Sequence, residues 1–175
     1  GKDIFALKDE ELTIFRRRKI GFVFQSFNLV PVLSVYENIV LPLQLDGKTV
    51  DNAFIGEIAE ALGLKEKLNV LPNQLSGGQQ QRVAIARALV NDPAVILADE
   101  ATGNLDTRTS FEVLVLFQQL HAQGRTIIFV THNPEIARHS SRNVTLRDGH
   151  IISDVRNEEI LSAAEALAKL PATDD

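Results

Sequence analysis

Three short apolar segments alternate with longer stretches in which apolar residues recur every three or four positions. The apolar segments are IGFVF (20–24), AVILA (94–98) and TIIFV (126–130), and a polar residue follows each of them. Segments of this length, rich in β-branched and aromatic residues, are typical of buried strands in a parallel sheet. Strands that alternate with helices predict an α/β fold, with a mostly parallel sheet flanked by helices.

The stretches between these strands have the end residues of helices. Ser34 and Glu37 have the spacing of a capping box, although Pro42 leaves the far end of that helix undefined. Asp51 caps a helix with Ile55, Ile58, Ala59 and Leu62 on one face, which Gly63 ends. Further helices are predicted over Asp9 to Phe15, about Ser76 to Asn91, about Asp106 to Gly124 (burying Val113, Leu116, Phe117 and Leu120), and 156–170 with a frayed acidic end.

The elements predict a single domain over residues 1–175. Core strands and helices over 1–33 and 75–154 flank a helical insert at 34–74, and a C-terminal helix and tail occupy 155–175. A chain of 175 residues that is 45% apolar can bury one substantial core. The chain contains no methionine, so we expect it to be a fragment without its native N-terminal portion.

The composition excludes several kinds of chemistry and partner. The absence of cysteine excludes disulfides, thiolate chemistry and cysteine-ligated zinc. No apolar segment approaches the ~18 residues of a membrane span, so we expect any membrane link to pass through a partner protein. The net charge of -5 argues against nucleic acid as the main partner. We interpret the basic segment Arg16-Arg17-Arg18-Lys19 as a solvated face.

The segment LSGGQ (75–79) opens a predicted helix with a serine and two glycines. Backbone N–H groups at the start of a helix bind anions at the positive end of the helix dipole. The phosphate-cradling loop G-x-x-x-x-G-K-[ST] is absent from these 175 residues. Gly47-Lys48-Thr49 has Pro42 in place of the required first glycine, and Gly1-Lys2 is followed by Asp3.

Chemically useful side chains follow each predicted strand, namely Gln25, Asp99 with Glu100, and Thr131 with His132. Since ligands of open α/β sheets bind at the carboxyl ends of the strands, we expect these side chains to converge. We expect Asp99 to hold Mg²⁺ through water, and Glu100 to orient or deprotonate an attacking water. Gln25 would contact the metal or that water, and His132 would contact a transferring phosphoryl group. Each residue alone is more often a cap or a structural residue; the combination with LSGGQ favours catalysis.

Taken together, these motifs resemble the ATP-binding subunit of an ABC transporter over residues 1 to about 152. GFVFQ resembles the family's Q-loop, LSGGQ matches its signature motif, and VILADE resembles Walker B with the catalytic glutamate. GNLD (103–106) is similar to the D-loop, and His132 stands where the family has its switch histidine. The residues around these motifs are most similar to those of the branch that serves lipoprotein release, macrolide export and antimicrobial-peptide resistance. Ala101 departs from that branch, which has proline there, and this puts the positioning of Glu100 in question.

The resemblance implies a P-loop NTPase-like fold, with ATP and Mg²⁺ as cofactors. Glu100, His132 and Gln25 would be catalytic, Asp99 and Gln25 would hold the metal, and Ser76, Gly77, Gly78, Gln79 and Asp106 would bind nucleotide. It further implies a homodimer or heterodimer of ATPase domains, transmembrane permease partners, no nucleic acid, and a cytoplasmic location on the inner face of the membrane. The missing N-terminal strands and phosphate-binding loop would lie upstream of Gly1. The isolated chain is therefore expected to bind ATP poorly, and either to be marginally stable or to pair its exposed sheet edge with another chain.

Other classes of protein share these motifs. In chromosome-maintenance and DNA-repair ATPases a long coiled coil separates the Q-loop from the signature, whereas Gln25 and Ser76 are 51 positions apart without heptads. This spacing favours a transporter. A translation-associated relative with two such domains, and a non-catalytic fragment, remain alternatives.

Overall fold

A parallel sheet of three strands organises the computed structural model, which describes residues 3–171. The order is β1-β2-β3, and the register pairs Phe24 with Asp99 and Asp99 with Val130, so the three strands end level. The α/β fold predicted from the sequence is confirmed. The elements are α1 (Asp9–Lys19), β1 (Ile20–Phe24), α2 (Val35–Leu45), α3 (Asn52–Ala61), α4 (Gly77–Leu89), β2 (Val95–Asp99), α5 (Thr107–Ala122), β3 (Thr126–Val130), α6 (Pro134–Ala137), β4 (Arg142–Arg147), β5 (His150–Arg156) and α7 (Ala163–Lys169).

The main core lies between one face of this sheet and helix α4. Val23 and Ile96 on the strands and Ile85 on the helix are all fully buried in it. Gly21 allows the helix to approach β1 closely, because a Cβ atom at this position would lie 2.6 Å from the carbonyl oxygen of Ala88. This close packing fixes α4 relative to β1, the strand that Gln25 directly follows.

The other face of the sheet is open within residues 3–171. Phe22, Ile128 and Val130 are 37%, 48% and 52% exposed there. The rings of Phe22 and Phe24 stack on this face, with their centroids 5.7 Å apart. The prediction that these strands are buried is therefore correct for one face of the sheet and wrong for the other.

The segment 34–74 contains only helices, among them two short 3₁₀ turns at Lys65–Lys67 and Pro72–Gln74. Helix α2 continues past Pro42 to Leu45, since Val40 and Leu43 on either side of the proline are buried. Asn38 is fully buried and fastens the loop that precedes the helix. Its Nδ2 donates to Val30 O at 3.1 Å, and its Oδ1 accepts from Val30 N at 2.8 Å.

Two predicted boundaries in the core differ from the structure. Strand β2 covers Val95–Asp99 rather than 94–98, so Asp99 closes the strand instead of following it. Helix α1 continues beyond Phe15 to Lys19, where basic side chains are favoured by the helix dipole. Arg17 and Arg18 contact Asp46 at 3.4 and 2.8 Å. The basic segment is thus partly a structural contact rather than wholly a solvated face.

The C-terminal part contains an antiparallel hairpin of β4 and β5 that was not predicted. Because Arg156 ends β5, the helix expected over 156–170 covers only Ala163–Lys169. Gln118 on α5 holds this helix in place, as its Nε2 donates to Leu161 O at 2.8 Å and its Oε1 accepts from Ala163 N at 2.9 Å.

The burial of helix α5, the C-terminal tail and the length of the helices can each be compared with the sequence predictions. Helix α5 buries Val113 and Phe117 fully, and Leu116 and Leu120 in part. The expected frayed acidic end, at 172–175, lies outside the described residues. Over residues 3–171, no helix has both the length and the apolar character required to cross a membrane.

Candidate active site

The level ends of the three strands bring Glu100 and His132 into contact. The Glu100 N–H donates to Val130 O at 3.0 Å, which ties the residue after β2 to the end of β3. His132 Nδ1 lies 2.6 Å from Glu100 Oε1, and the His132 backbone N–H donates to the same oxygen at 3.2 Å. The imidazole is 86% exposed, whereas the carboxylate is 24% exposed. The pair therefore joins a sheltered acid to a ring that an approaching substrate can reach.

The backbone of Glu100 is in the left-handed region, with φ of +48°. This conformation is uncommon for a residue with a side chain, and it is retained only where the surrounding contacts impose it. A turn supplies one such contact, since the Gly103 N–H donates to Glu100 O at 2.8 Å. The left-handed backbone turns the chain sharply directly after β2, where Glu100 lies at the edge of the sheet.

Gln25 is held by the loop that follows Glu100. Its Nε2 donates to Asn104 Oδ1 at 3.2 Å, and Asn104 Nδ2 donates back to Gln25 O at 3.0 Å. Gly103 leaves room for this contact, because a Cβ atom there would lie 2.6 Å from Gln25 Nε2. In the loop that follows Glu100, a role was predicted from the sequence for Asp106 alone. Asn104 and Gly103 stand within the GNLD motif, but the motif alone does not reveal which side chain they contact.

Asp99 is exposed at the end of β2. Side chains along a strand point alternately to the two faces of the sheet, so Leu97 and Asp99 point away from the face of Ile96 and Ala98. The side chain of Asp99 therefore lies on the open face of the sheet. Residues 3–171 contain no group of three or more His, Cys, Asp or Glu side chains that could hold a metal ion. Protein sites for Mg²⁺ commonly use one or two carboxylates together with substrate phosphates and water. Asp99 offers a carboxylate and Gln25 an amide oxygen, and their role as metal ligands stays a prediction.

The signature segment forms the start of the 13-residue helix α4. Ser76 Oγ accepts from Gln79 N at 3.3 Å, and Gln79 Oε1 accepts from Ser76 N at 3.0 Å, so the two side chains form a capping box. Within residues 3–171, the N–H groups of Gly77 and Gly78 have no acceptor. The two glycine amides are therefore available to an anion at the positive end of the helix.

Asp106 caps helix α5 next to the signature segment. Its Oδ1 accepts from Thr109 N at 3.0 Å and its Oδ2 from Thr109 Oγ1 at 2.6 Å. These hydrogen bonds from Thr109 lower the pKa of Asp106. Both carboxylate oxygens are thus engaged within the helix, and a direct contact of Asp106 with nucleotide stays a prediction.

The signature residues 76–79 are not hydrogen-bonded to the pair of Glu100 and His132 within residues 3–171. Helix α4 nevertheless contacts both loops of the site further along its length. Gln81 Nε2 donates to Ala101 O at 2.6 Å, and Arg87 Nη2 donates to Phe27 O at 2.8 Å. Burial lowers the pKa of Arg87.

The roles of Gln81 and Arg87 were missed by sequence reasoning, because nothing local in the sequence marks contacts that span 20 and 60 positions.

Comparison with known proteins identifies the chain. The sequence profile of the family described as ABC transporter matches residues 3–103. The chain belongs to the ABC transporter family. An ABC transporter ATP-binding protein from Thermotoga maritima is 51% identical over 153 residues, which cover 86% of this chain and 65% of that protein. The macrolide export ATP-binding/permease protein MacB of Bradyrhizobium diazoefficiens is 45% identical over 174 residues, covering 98% of this chain and 26% of MacB. This ABC transporter chain therefore spans less than two thirds of either relative.

Solved structures of ABC transporter cassettes have the same fold. The dimeric structure of the cassette MJ0796 matches with a TM-score of 0.76 and 43% identity, covering 88% of this chain and 69% of that one. A second dimeric structure of MJ0796, in a post-hydrolysis state bound to ADP and Pi, matches with a TM-score of 0.75 and 42% identity, covering 89% and 70%. The predicted ABC ATPase fold is confirmed.

Proposed function

We propose that this chain is part of an ATP-binding and ATP-hydrolysing subunit that powers an ABC transporter, of the exporter or lipoprotein-release type. The observation that carries the proposal is the contact of 2.6 Å between Glu100 and His132 at the level ends of β2 and β3. Gln25 directly follows the neighbouring strand β1 at the same edge, where it is held by Asn104. An acid, an imidazole and an amide on one edge of a parallel sheet suit the hydrolysis of a phosphate anhydride.

The roles of the side chains follow from their contacts. Bound ATP with Mg²⁺ would supply the γ-phosphoryl group and the cation that neutralises its charge. Glu100 uses Oε1 to accept from His132, which leaves Oε2 to orient a water and take its proton. His132 is exposed and can contact the phosphoryl oxygens. Asp99 and Gln25 would hold the cation, Asp99 through water.

The signature segment serves a second nucleotide in this proposal. Its unpartnered N–H groups at Gly77 and Gly78 suit a phosphate, but they are not joined to Glu100 within the described residues. A head-to-tail dimer of cassettes, with each signature facing the nucleotide of the other subunit, accounts for this separation. The MJ0796 structures are dimeric, which supports such an arrangement. Because these 175 residues contain no phosphate-cradling loop, we further propose that the isolated chain binds ATP weakly.

The partners would be transmembrane permease subunits or domains, with the ATPase on the cytoplasmic face of the membrane. The relative MacB is named as a combined ATP-binding and permease protein, which supports this pairing. The proposed contact is the helical insert near Ser26 to Val35, where Val32 is 79% exposed. The short helices α2 and α3, of 11 and 10 residues, favour a transporter over an ATPase with a long coiled coil in this segment.

Replacement of the acid tests the proposed function. In the full-length protein, Glu100→Gln keeps the shape of the side chain but cannot take a proton, so turnover of ATP should fall by roughly 100-fold or more. ATP binding, measured by equilibrium titration, should persist. Glu10→Gln on the exposed side of α1 is the control and should leave turnover unchanged. Undiminished hydrolysis by the Glu100→Gln variant would reject the proposal.

A further inference from the structure

Gln81 lies on helix α4, one turn after Gly77, and its side chain is fully buried. Its Nε2 donates to Ala101 O at 2.6 Å, but its Oε1 has no hydrogen-bond partner within the described residues. A buried acceptor without a partner is unfavourable, so stability alone does not explain a glutamine at this position. The reason for a glutamine here is instead the hydrogen bond that its amide N–H donates to Ala101 O.

The carbonyl that Gln81 holds belongs to the residue directly after Glu100. Two backbone contacts restrain Glu100 itself, namely its N–H to Val130 O and its carbonyl to the Gly103 N–H. Neither contact fixes the next peptide plane, and Ala101 has no ring to restrict its own φ as proline would. The bond from Gln81 supplies a restraint at that point. It also comes from a different element, the helix that begins with the signature segment.

We propose that Gln81 is a positioning residue, which acts through the Ala101 carbonyl to hold Glu100 in its left-handed conformation. The orientation of the carboxylate then depends on where α4 lies, because the helix and the loop share this hydrogen bond. The signature end of α4 and the acid of the same chain are thereby linked across one helical turn. The kinetic consequence rests on the proposed hydrolysis of ATP, whereas the structural consequence does not.

The kinetic test uses Gln81→Leu in the full-length protein. Leucine fills a similar volume, removes the unpaired Oε1 and cannot donate to Ala101 O. We expect kcat to fall by about 10- to 100-fold, since a small misplacement of a reacting group has effects of this size. The KM for ATP should stay within about twofold, because the glycine amides at the start of α4 are unchanged.

Val83→Ala, on the same helix and fully buried, is the matched control. It loosens the packing of α4 and leaves the side chain that donates to Ala101 O unchanged. If it lowers kcat as much as Gln81→Leu does at an equal loss of thermal stability, the effect is general loosening and the proposal is overturned. Gln81→Asn keeps the amide but is one methylene too short. It should therefore reproduce the loss of kcat if Gln81→Leu does not fold.

Hydrogen exchange tests the structural consequence without any need for activity. In the Gln81 variants, the amides of Glu100 and Gly103 should exchange faster, while those in the middle of α4 keep their protection. Unchanged exchange at Glu100 and Gly103 in the variants would overturn the proposal. If the wild type hydrolyses ATP, unchanged turnover of ATP by the Gln81 variants would overturn it as well. If these amides exchange faster in the Gln81 variants while the wild type has no ATPase activity, the positioning role is sustained and the proposed function is rejected.

Discussion

At the scale of single residues, Gly78 brings the start of α4 into contact with α5. A Cβ atom at position 78 would lie 2.4 Å from Thr109 Cγ2, which is far closer than two carbon atoms can pack. The methyl group of Thr109 sits on a branched Cβ and cannot swing away while its Oγ1 donates to Asp106. Packing against Thr109 therefore requires a glycine at position 78 of the signature segment.

A pair of substitutions tests this packing requirement. Gly78→Ala should lower the free energy of unfolding by roughly 1–3 kcal/mol, as overpacked positions do. Thr109→Ser removes the methyl group and keeps the hydroxyl that Asp106 accepts from. In the double variant, most of the loss should be recovered, as measured by urea unfolding of the full-length protein. Strictly additive effects of the two substitutions would show that the two atoms do not meet.

At the scale of elements, the helices that carry the site begin at side chains that accept hydrogen bonds from their first turns. Ser34, Ser76 and Asp106 cap α2, α4 and α5 in this way, as their positions in the sequence predicted. The cap of α5 is the one with a charge, and hydrogen bonds from Thr109 lower its pKa. Its contribution to stability must therefore depend on pH.

The sign of this dependence follows from the direction of the shift. With a folded pKa below the unfolded value of about 3.9, the charged cap stabilises the protein fully above that value, and less as the pH falls through the folded pKa. Asp106→Ala should cost roughly 0.5–2 kcal/mol at pH 7 and less below about pH 4. Asp106→Asn, which retains an acceptor, should cost less at pH 7. Denaturant unfolding across this pH range provides the measurement, and a penalty for Asp106→Ala independent of pH would contradict the assignment.

At the scale of the whole molecule, the sheet is covered on one face and open on the other. Phe22, Ile128 and Val130 form an apolar surface beside the strand ends that carry the site. Contiguous apolar surfaces of this kind are uncommon on proteins that remain monomeric. The free edges of β1 and β3 add unpaired backbone groups to the same region, within the described residues.

This surface should make the 175-residue chain associate with itself and bind apolar dyes. Replacing Phe22 and Ile128 together by threonine, a residue compatible with strands, should lower both dye fluorescence and the fraction of oligomer in sedimentation experiments. Val32→Thr is the control, since Val32 is more exposed than either residue but lies off the sheet. An equal effect of the control would mean that the open face is not responsible.

The strands and helix caps could be predicted because they depend on neighbours in the sequence. Apolar segments predicted β1, β2 and β3 to within one residue. The hairpin of β4 and β5 was missed, although Asp148-Gly149 is a typical hairpin turn and both residues have positive φ. Residues on its exposed strands do not show a clean alternation of apolar and polar positions, so this turn was its clearest local signal.

The contact between Glu100 and His132 could be expected from the sequence, but the contacts that support it could not. Glu100 and His132 stand at strand ends, where topology alone brings them together. The left-handed backbone of Glu100 and the contacts made by Gln81 and Asn104 arise from packing between distant segments, which a single sequence does not record.

The level register of the three strands has a consequence for insertions. One extra residue inside β2 would advance the rest of that strand by about 3.3 Å, more than the separation of the carboxylate from the imidazole. It would also turn every side chain after the inserted residue to the opposite face of the sheet, so that buried side chains become exposed and exposed ones become buried. Length changes are thus incompatible with this strand, whereas a turn such as Asp148-Gly149 can accommodate them.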